Sequence, residues 1–280
     1  MNKSADIICY MSKLKRHFLF DLDGTLSESR KKVGTSMGSL LRDISKFGSI
    51  VIVSGSDYDF ITDQMETAWS YLSCDLVTLL PCNGTKRYEW SPKAFASKFE
   101  LVESLDMKNH MGKEKYASLV QFLILKQSEF LKKEEISHFC SGQFISYRES
   151  MINWAPVGRN GSFEDREAFV EFDKSTNFRN KMQKEILNFI RENDLKVQVA
   201  LGGDTSFDIF PSGWDKTISL RFFDETDTLY FFGDRCYPGG NDFEIYNSVS
   251  RRGHAYKVNG PEDTIEYLKQ ILKELKNELD

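Results

Sequence analysis

Short apolar runs alternate with amphipathic segments in the first third of the chain. The runs are rich in β-branched and aromatic residues, which is the composition of strands buried on both faces. They lie at 17–20, 49–53 and 76–80. The segments between them repeat apolar residues at helical spacing, as Leu41 and Ile44 do in the first segment. This order predicts β-α-β-α-β, a parallel sheet with crossover helices.

The middle of the chain has a mixed pattern. Helices are predicted at 113–132 and 178–191, and strands at 88–95, 144–148, 153–157 and within 195–210. In the first of these helices Leu119, Leu123 and Ile124 are expected to face inward. Ser162 and Asp165 have capping-box spacing and predict a further helix start.

The sheet pattern resumes near residue 228. An apolar strand at 228–232 is followed by Gly233-Asp234, and Pro261 opens a C-terminal helix. We therefore interpret residues 1–93 and 214–280 as an α/β core and 94–213 as an inserted α+β cap domain. Residues 1 to about 15 are expected to form a short mobile extension.

Acids and hydroxyls follow three of the core strands. The first strand ends in Asp21-Leu22-Asp23-Gly24, the second is followed by Ser54, and the strand at 228–232 is followed by Asp234. The carboxyl ends of parallel strands meet at one edge of a sheet, where ligands bind. Carboxylates held this close repel each other unless a cation lies between them, and hard oxygen ligands suit Mg²⁺. Lys216, near the end of the insertion, could neutralise charge on a bound phosphoryl group.

Composition narrows the function classes. The formal net charge of −5 gives no sign of a nucleic-acid or membrane-surface partner, and no apolar run is long enough to cross a bilayer. The five cysteines have neither a pairing pattern nor metal-ligand spacing, so we expect reduced thiols in a cytoplasmic protein.

These strand-end residues resemble the four motifs of the haloacid dehalogenase superfamily. The match comprises Phe20-Asp21-Leu22-Asp23-Gly24-Thr25-Leu26, Ser54, Lys216, and Gly233-Asp234 with Asn241-Asp242. The resemblance implies a Rossmann-like core in which Asp21 is the nucleophile and Asp23 the acid/base. It also implies Mg²⁺ bound by the Asp21 carboxylate, the Asp23 backbone carbonyl and Asp234, with Ser54 and Lys216 on the phosphoryl group.

A narrower resemblance, to the eukaryotic-type phosphomannomutases, covers the chain from Phe18 to about Asp263. It rests on two long runs in the insertion, 148–159 and 202–216. The resemblance implies a site for hexose phosphates and a cap that forms homodimers. The implied substrate-binding residues are Arg30, Arg148, Arg159, Arg166, Ser206 and Asp208. Arginine forks suit this role because they bind phosphate bidentately and keep their charge.

The chain departs from that family's pattern in several places. Glu149-Ser150 stands where Asn-Gly is usual, Asp204 replaces a Gln, and 235–237 differs from a Lys-Thr-Met-like segment. The family's additional ion site would map to Tyr246, Ser248 and Arg251, where a lost acid and an added cation predict that the second ion does not bind.

Three functions remain open from the sequence. The first is interconversion of mannose 6-phosphate and mannose 1-phosphate through an aspartyl-phosphate and a hexose 1,6-bisphosphate, feeding GDP-mannose synthesis. The second is a capped sugar-phosphate phosphatase, in which water resolves the aspartyl-phosphate. The third is a catalytically silent sugar-phosphate-binding protein on the same fold. The arginine group argues against the second, and the intact set of Asp21, Asp23, Lys216 and Asp234 against the third.

Overall fold

The computed structural model describes residues 15–92 and 98–278, and these form two compact units. One unit contains the described residues up to Glu103 and those from Trp214 onward, and the other is Ser104–Gly213. The sequence placed the first division at 93/94; the compact unit continues to Glu103 because one more strand joins its sheet. The predicted N-terminal extension lies outside the described residues, as does the end of the strand predicted at 88–95.

The first unit is built on a seven-stranded sheet. Numbered along the whole chain, its strands are β1 Arg16–Phe20, β2 Ser49–Val53, β3 Val77–Leu80, β4 Lys86–Ser91, β5 Lys98–Ser104, β10 Thr228–Gly233 and β11 His254–Lys257. Their spatial order is β11-β10-β1-β2-β3-β4-β5. The pairs from β11 to β3 are parallel, and β4 turns back antiparallel to β3. The predicted parallel β-α-β-α-β order is confirmed.

Helices cover the sheet of this unit. They are α1 Thr35–Ile44, α2 Tyr58–Gln64, α3 Glu66–Trp69, α9 Phe243–Ser250 and α10 Pro261–Asn277, with 3-10 turns at Cys74–Leu76, Cys82–Gly84 and Lys216–Phe222. Successive strand residues alternate between two cores. Phe18 and Phe20 pack into the core that includes Leu268 of α10, whereas Leu19 packs into the one that includes Val249 of α9. Both faces of β1 are therefore buried, as its apolar run predicts.

The second unit has a four-stranded antiparallel sheet. Its strands are β6 Ile145–Tyr147, β7 Ile152–Trp154, β8 Val197–Gly202 and β9 Ser206–Pro211, in the order β6-β7-β9-β8. Its helices are α4 Met107–Met111, α5 Lys113–Phe130, α6 Glu134–Ser137, α7 Phe163–Thr176 and α8 Phe178–Glu192. Trp154 and Phe207 stack on the apolar side, which leaves Ser206 and Asp208 on the opposite, polar face.

Two local predictions for this unit are wrong. The strand predicted at 153–157 ends at Trp154, and Pro156 follows two residues later, where it can donate no ladder hydrogen bond. Ile124 was expected to face inward but is 57% exposed, because the buried side of α5 passes through Leu119, Leu123 and Gln127. No helix within 15–92 and 98–278 is long and apolar enough to cross a membrane.

Candidate active site

Parallel pairing brings the acids after β1 and β10 together. Phe20 lies opposite Phe232 in the sheet, so Asp21 and Asp234 leave adjacent strands at the same edge. The Asp21 backbone N–H donates to the Phe232 carbonyl at 2.9 Å and extends this pairing beyond the strand. Asp21 is only 4% exposed, so its carboxylate is held within the protein rather than in solvent.

Lys216 provides the positive charge of this cluster. It is 1% exposed, and its Nζ donates to Asp21 Oδ1 and to Asp242 Oδ1, each at 2.5 Å. Asp215 begins the 3-10 turn by accepting from the Thr217 backbone N–H, and this local structure fixes where Lys216 leaves the chain. The predicted role of Lys216 beside the nucleophile is geometrically possible, since one ammonium contacts the Asp21 carboxylate directly.

The cluster contains three carboxyl groups and one ammonium group. Burial and the nearby Asp242 raise the pKa of Asp21 to about 8, against the opposing effect of Lys216. Burial and Asp242 also raise the pKa of Asp234 to about 6. Burial alone would lower the pKa of Lys216, but Asp21 and Asp242 together raise it. Three carboxylates thus share one ammonium, an arrangement that favours an additional cation.

The residues fit a divalent cation. Asp21, Asp234 and Asp242 each offer a carboxylate oxygen, and these atoms lie within 4.8 Å of one another. Asp234 Oδ1 is buried and has no hydrogen-bond partner among the residues that the structure describes, as expected of a ligand atom. Gly24 makes room for the Asp234 carboxylate, because a Cβ at position 24 would lie 2.5 Å from Asp234 Oδ2. An all-oxygen set with open positions suits Mg²⁺.

Asp242 is a member of the cluster that sequence reasoning did not assign. Its side chain is fully buried, and its second oxygen accepts from the Arg235 backbone N–H at 3.2 Å. The signal was present in the sequence, because Asn241-Asp242 belongs to the motif quoted with Gly233-Asp234.

Asp23 is held apart from the cation ligands. Its Oδ1 accepts from the Arg30 backbone N–H at 2.6 Å and from Gln64 Nε2 at 3.0 Å. Gln64 is 1% exposed and comes from the end of α2, and no sequence pattern pointed to it. These two donors fix the orientation of the Asp23 carboxylate through Oδ1. The carboxylate of Asp23 is not part of the acidic cluster, consistent with the expectation that only its backbone carbonyl serves a metal.

Ser54 follows β2, the strand directly paired with β1. It is 3% exposed, and its hydroxyl accepts from the Ser56 backbone N–H at 3.1 Å. The Ser54 carbonyl accepts from Asn83 N–H, which ties the ends of β2 and β3 together. Ser54 is therefore at the same sheet edge as Asp21, in a backbone arrangement fixed on both sides.

A second group of predicted residues meets on the polar face of the four-stranded sheet. Asn153 Nδ2 donates to Ser206 Oγ at 3.1 Å and to Asp208 Oδ1 at 2.7 Å, while Asn153 Oδ1 accepts from Arg159 Nη1 at 3.0 Å. Arg166, in the first turn of α7, donates to the Arg159 carbonyl at 2.9 Å. The structure thus links Arg159, Arg166, Ser206 and Asp208 through Asn153, a residue that was not singled out from the sequence.

Arg148 and Arg30 are placed separately. Arg148 follows β6, with Nη1 3.9 Å from the sulfur of Met151. The next residue, Glu149, has φ +64, and its carboxylate accepts from Ser104 Oγ at 2.9 Å. Arg30 belongs to the first unit and is exposed. Its backbone is left-handed, with φ +62, and its N–H donates the hydrogen bond that Asp23 Oδ1 accepts.

Comparison with solved structures identifies the class of fold. An IMP-bound variant of Plasmodium falciparum IMP-nucleotidase aligns with a TM-score of 0.61 at 16% identity, over 94% of this chain and 68% of that one. A trehalose-6-phosphate phosphatase related protein aligns with a TM-score of 0.55 at 12% identity, over 94% and 99% of the two chains. The chain shares the fold of these proteins, and the predicted α/β fold with a mostly parallel sheet is confirmed.

Sequence comparison gives the family. A family model described as eukaryotic phosphomannomutase matches residues 37–274. A phosphomannomutase of Dendrobium officinale is 35% identical over 253 residues, covering 90% of this chain and 92% of the relative. A probable phosphomannomutase of Caenorhabditis elegans is 34% identical over 265 residues, covering 92% and 95%. The chain belongs to the eukaryotic phosphomannomutase family.

Proposed function

We propose that this protein interconverts mannose 6-phosphate and mannose 1-phosphate and thereby supplies GDP-mannose synthesis. The observation that carries the proposal is the buried contact of Lys216 with Asp21, beside an acidic cluster suited to a divalent cation. A carboxylate in this position can act as nucleophile, because the ammonium offsets the charge that builds up as a phosphoryl group approaches.

The proposed reaction has two phosphoryl transfers. Phosphorylated Asp21 gives its phosphoryl group to the free hydroxyl of the hexose phosphate, and Asp23 accepts the proton of that hydroxyl. The resulting hexose 1,6-bisphosphate turns over in the site. Asp21 then attacks the other phosphorus, the bond from phosphorus to the sugar oxygen breaks, and Asp23 returns the proton to that oxygen. Phosphorylated Asp21 is regenerated, so a trace of bisphosphate activates the enzyme.

Mg²⁺ is the cofactor we propose. Asp21, Asp234 and Asp242 would hold it, with the backbone carbonyl of Asp23, and when bound it would offset the charge of the phosphoryl oxygens. Ser54 would donate a hydrogen bond to a phosphoryl oxygen.

Residues 94–213, which include the second compact unit, are proposed to act as the substrate-recognising cap. Arg148, Arg159 and Arg166 would grip the phosphate that is not reacting, with Arg30 from the core. Ser206 and Asp208 would meet sugar hydroxyls. Exclusion of water by the cap would protect the aspartyl-phosphate from hydrolysis.

We propose a cytoplasmic location for this protein. Cys74, Cys140 and Cys236 are free thiols, which suits a reducing cytoplasm. We also propose a homodimer formed through the cap, as the family resemblance implies, with no nucleic-acid or membrane partner.

An isomerase assay tests the function directly. The protein is incubated with mannose 1-phosphate, Mg²⁺ and a catalytic amount of hexose 1,6-bisphosphate, beside a parallel reaction with glucose 1-phosphate. We expect mannose 6-phosphate to form with little free phosphate. Stoichiometric release of phosphate would instead identify a phosphatase, and the absence of both products would favour a silent binding protein.

A further inference from the structure

The buried amide of Asn153 lies between two side chains of opposite charge. Asn153 is the middle residue of β7 and is 3% exposed. It stands directly opposite Asp208 of β9 in the sheet. Its Nδ2 donates to Asp208 Oδ1 at 2.7 Å, and its Oδ1 accepts from Arg159 Nη1 at 3.0 Å. One planar group therefore contacts both a carboxylate and a guanidinium.

These contacts fix the direction of the amide. In the reverse orientation Nδ2 would face the guanidinium, which can only donate, and Oδ1 would face the carboxylate, which can only accept. Ser206 uses the second proton of Nδ2, with its Oγ at 3.1 Å. Both donors of the side chain are therefore satisfied within the sheet, and the amide dipole matches the charges on its two sides.

We propose that Asn153 is a positioning residue that separates Arg159 from Asp208 and orients both side chains for substrate. This inference rests on the proposed hexose-phosphate function. An arginine and a carboxylate that reach each other form a strong bidentate pair, in which each occupies the groups that would bind phosphate or sugar. The amide occupies the position between them and holds each by a single hydrogen bond.

A neighbouring atom on the same face supports a ligand there. Ser146 is directly opposite Asn153 in the pairing of β6 with β7. Its hydroxyl oxygen is buried and has no hydrogen-bond partner among the described residues. Buried polar groups are rarely left unsatisfied, so a polar ligand on this face would complete the set.

The first test is Asn153→Ala, assayed for conversion of mannose 1-phosphate and, by calorimetry, for binding of mannose 6-phosphate. We expect KM and the dissociation constant to rise about tenfold or more, while kcat stays within about threefold of the wild-type value. Arg159 and Asp208 would be misplaced for substrate binding, whereas the phosphoryl-transfer residues are unchanged. The double variant Asn153→Ala with Asp208→Asn should recover part of that affinity, since Arg159 then has no carboxylate beside it.

A charge variant separates positioning from packing. Asn153→Asp keeps the shape and the acceptor for Arg159 but loses both donors and sets a carboxylate beside Asp208. Two close carboxylates favour sharing a proton. We therefore expect its KM, divided by that of wild type at the same pH, to fall as the pH is lowered from 8 to 6, whereas the same ratio for Asn153→Ala stays constant.

The matched control is Gln127→Met. Gln127 is another buried amide of the same unit, 6% exposed, whose side chain donates to the Pro156 carbonyl and accepts from Trp154 Nε1. We expect this variant to lose stability and to keep its KM. Equal rises of KM in both variants, or an unchanged KM in Asn153→Ala while wild type turns over, would overturn the Asn153 inference alone. A wild-type protein that neither converts nor binds the sugar phosphate would overturn the proposed function and this inference together.

Discussion

Asp21 is the side chain on which the proposed chemistry depends. Replacing it with Asn keeps the shape and removes the nucleophile, so we expect turnover to fall by about three orders of magnitude or more. The measurement is isomer formation, together with phosphate labelling of the protein. Asp75→Asn changes an exposed acid of the same unit and should leave the rate unchanged. Retained mutase activity in Asp21→Asn would refute the nucleophile assignment.

Gly24 connects the first strand end to the cation ligands. Its φ is +75, and an added Cβ would lie 2.5 Å from Asp234 Oδ2. Gly24→Ala should therefore strain the backbone by about 1–2 kcal/mol and also displace a ligand oxygen. We expect the Mg²⁺ concentration for half-maximal activity to rise about tenfold.

A second glycine with positive φ but open surroundings provides the control. Gly112 has φ +84, and in the described part of the chain no heavy atom lies within 4 Å of an added Cβ. Gly112→Ala should lose a similar amount of stability and keep the wild-type Mg²⁺ dependence. If both variants shift that dependence equally, the close approach of Gly24 to Asp234 is not important for the site.

Helix α7 starts with a complete capping box. Ser162 Oγ accepts from Asp165 N–H at 3.1 Å, and the Asp165 carboxylate accepts from Ser162 N–H at 2.8 Å. Arg166 leaves the same first turn. Ser162→Ala should lower the free energy of unfolding by about 1 kcal/mol and weaken hexose-phosphate binding through fraying of this turn.

Ser118→Ala is the comparison within another helix. Ser118 lies inside α5, where its hydroxyl donates to the Lys115 carbonyl and Ala is the better helix former. We expect chemical denaturation to show no loss of stability for Ser118→Ala. A Ser162→Ala variant as stable as wild type would show that packing alone defines the start of α7.

The opposite end of the core sheet contains a half-buried histidine. His17 of β1 contacts Ser49 Oγ at 2.6 Å and Asp227 Oδ2 at 3.2 Å. Burial lowers the pKa of His17 below its usual 6.5, although Asp227 opposes this. Below that pH the unfolded chain takes up a proton that the folded chain resists, so this residue's contribution to stability is lost as the pH falls.

Wild type and His17→Gln can be compared by urea unfolding between pH 5 and 8. The free energy of unfolding of wild type, relative to that of His17→Gln, should be constant above about pH 7. Below about pH 6.5 it should fall, by about 1.4 kcal/mol for each unit of pKa difference between folded and unfolded His17. A difference that does not vary with pH would mean that His17 titrates alike in the folded and unfolded states.

The elements with strong periodicity were predictable, and their ends less so. The apolar runs of β1, β2 and β10 identified the parallel core because strands buried on both faces have a distinctive composition. The segment from 58 to 69 reads as one helix, but it breaks at Met65 into α2 and α3. Apolar spacing continues through such a break, and only the backbone reveals it.

The site residues that belong to short sequence motifs could be predicted from the sequence. Asp21, Asp23 and Asp234 follow strands, so their meeting at one edge is a consequence of parallel pairing. Gln64 and Asn153 could not be found in that way. Their amides act through contacts with residues 41 and 55 positions away in the chain, and an isolated Gln or Asn carries no distinguishing pattern.

The two compact units divide the proposed function between them. The first contains the nucleophile, the acid/base and the cation ligands, and the second presents Arg159, Ser206 and Asp208 on a separate sheet. Each unit has its own core and its own hydrogen-bonded site. Binding of a cation should therefore stabilise the unit that contains Asp21 and leave the stability of the second unit unchanged.

Calorimetric unfolding with and without Mg²⁺ tests that division. Without Mg²⁺, Asp21 and Asp234 retain protons up to about pH 8 and 6, whereas the unfolded carboxyls ionise near pH 4. The contribution of these groups to stability is therefore present at low pH and is lost as the pH rises through those values.

Mg²⁺ should reverse this trend, because it binds the ionised carboxylates and replaces the protons. We expect saturating Mg²⁺ to raise the unfolding temperature of one transition only, that of the unit containing Asp21, with a gain of about 2.7 kcal/mol at a hundredfold excess over the dissociation constant. The gain should be larger at pH 8 than at pH 6, and Asp234→Asn should greatly reduce it. Equal stabilisation of both transitions, or a gain that shrinks with rising pH, would contradict a cation held by these carboxylates.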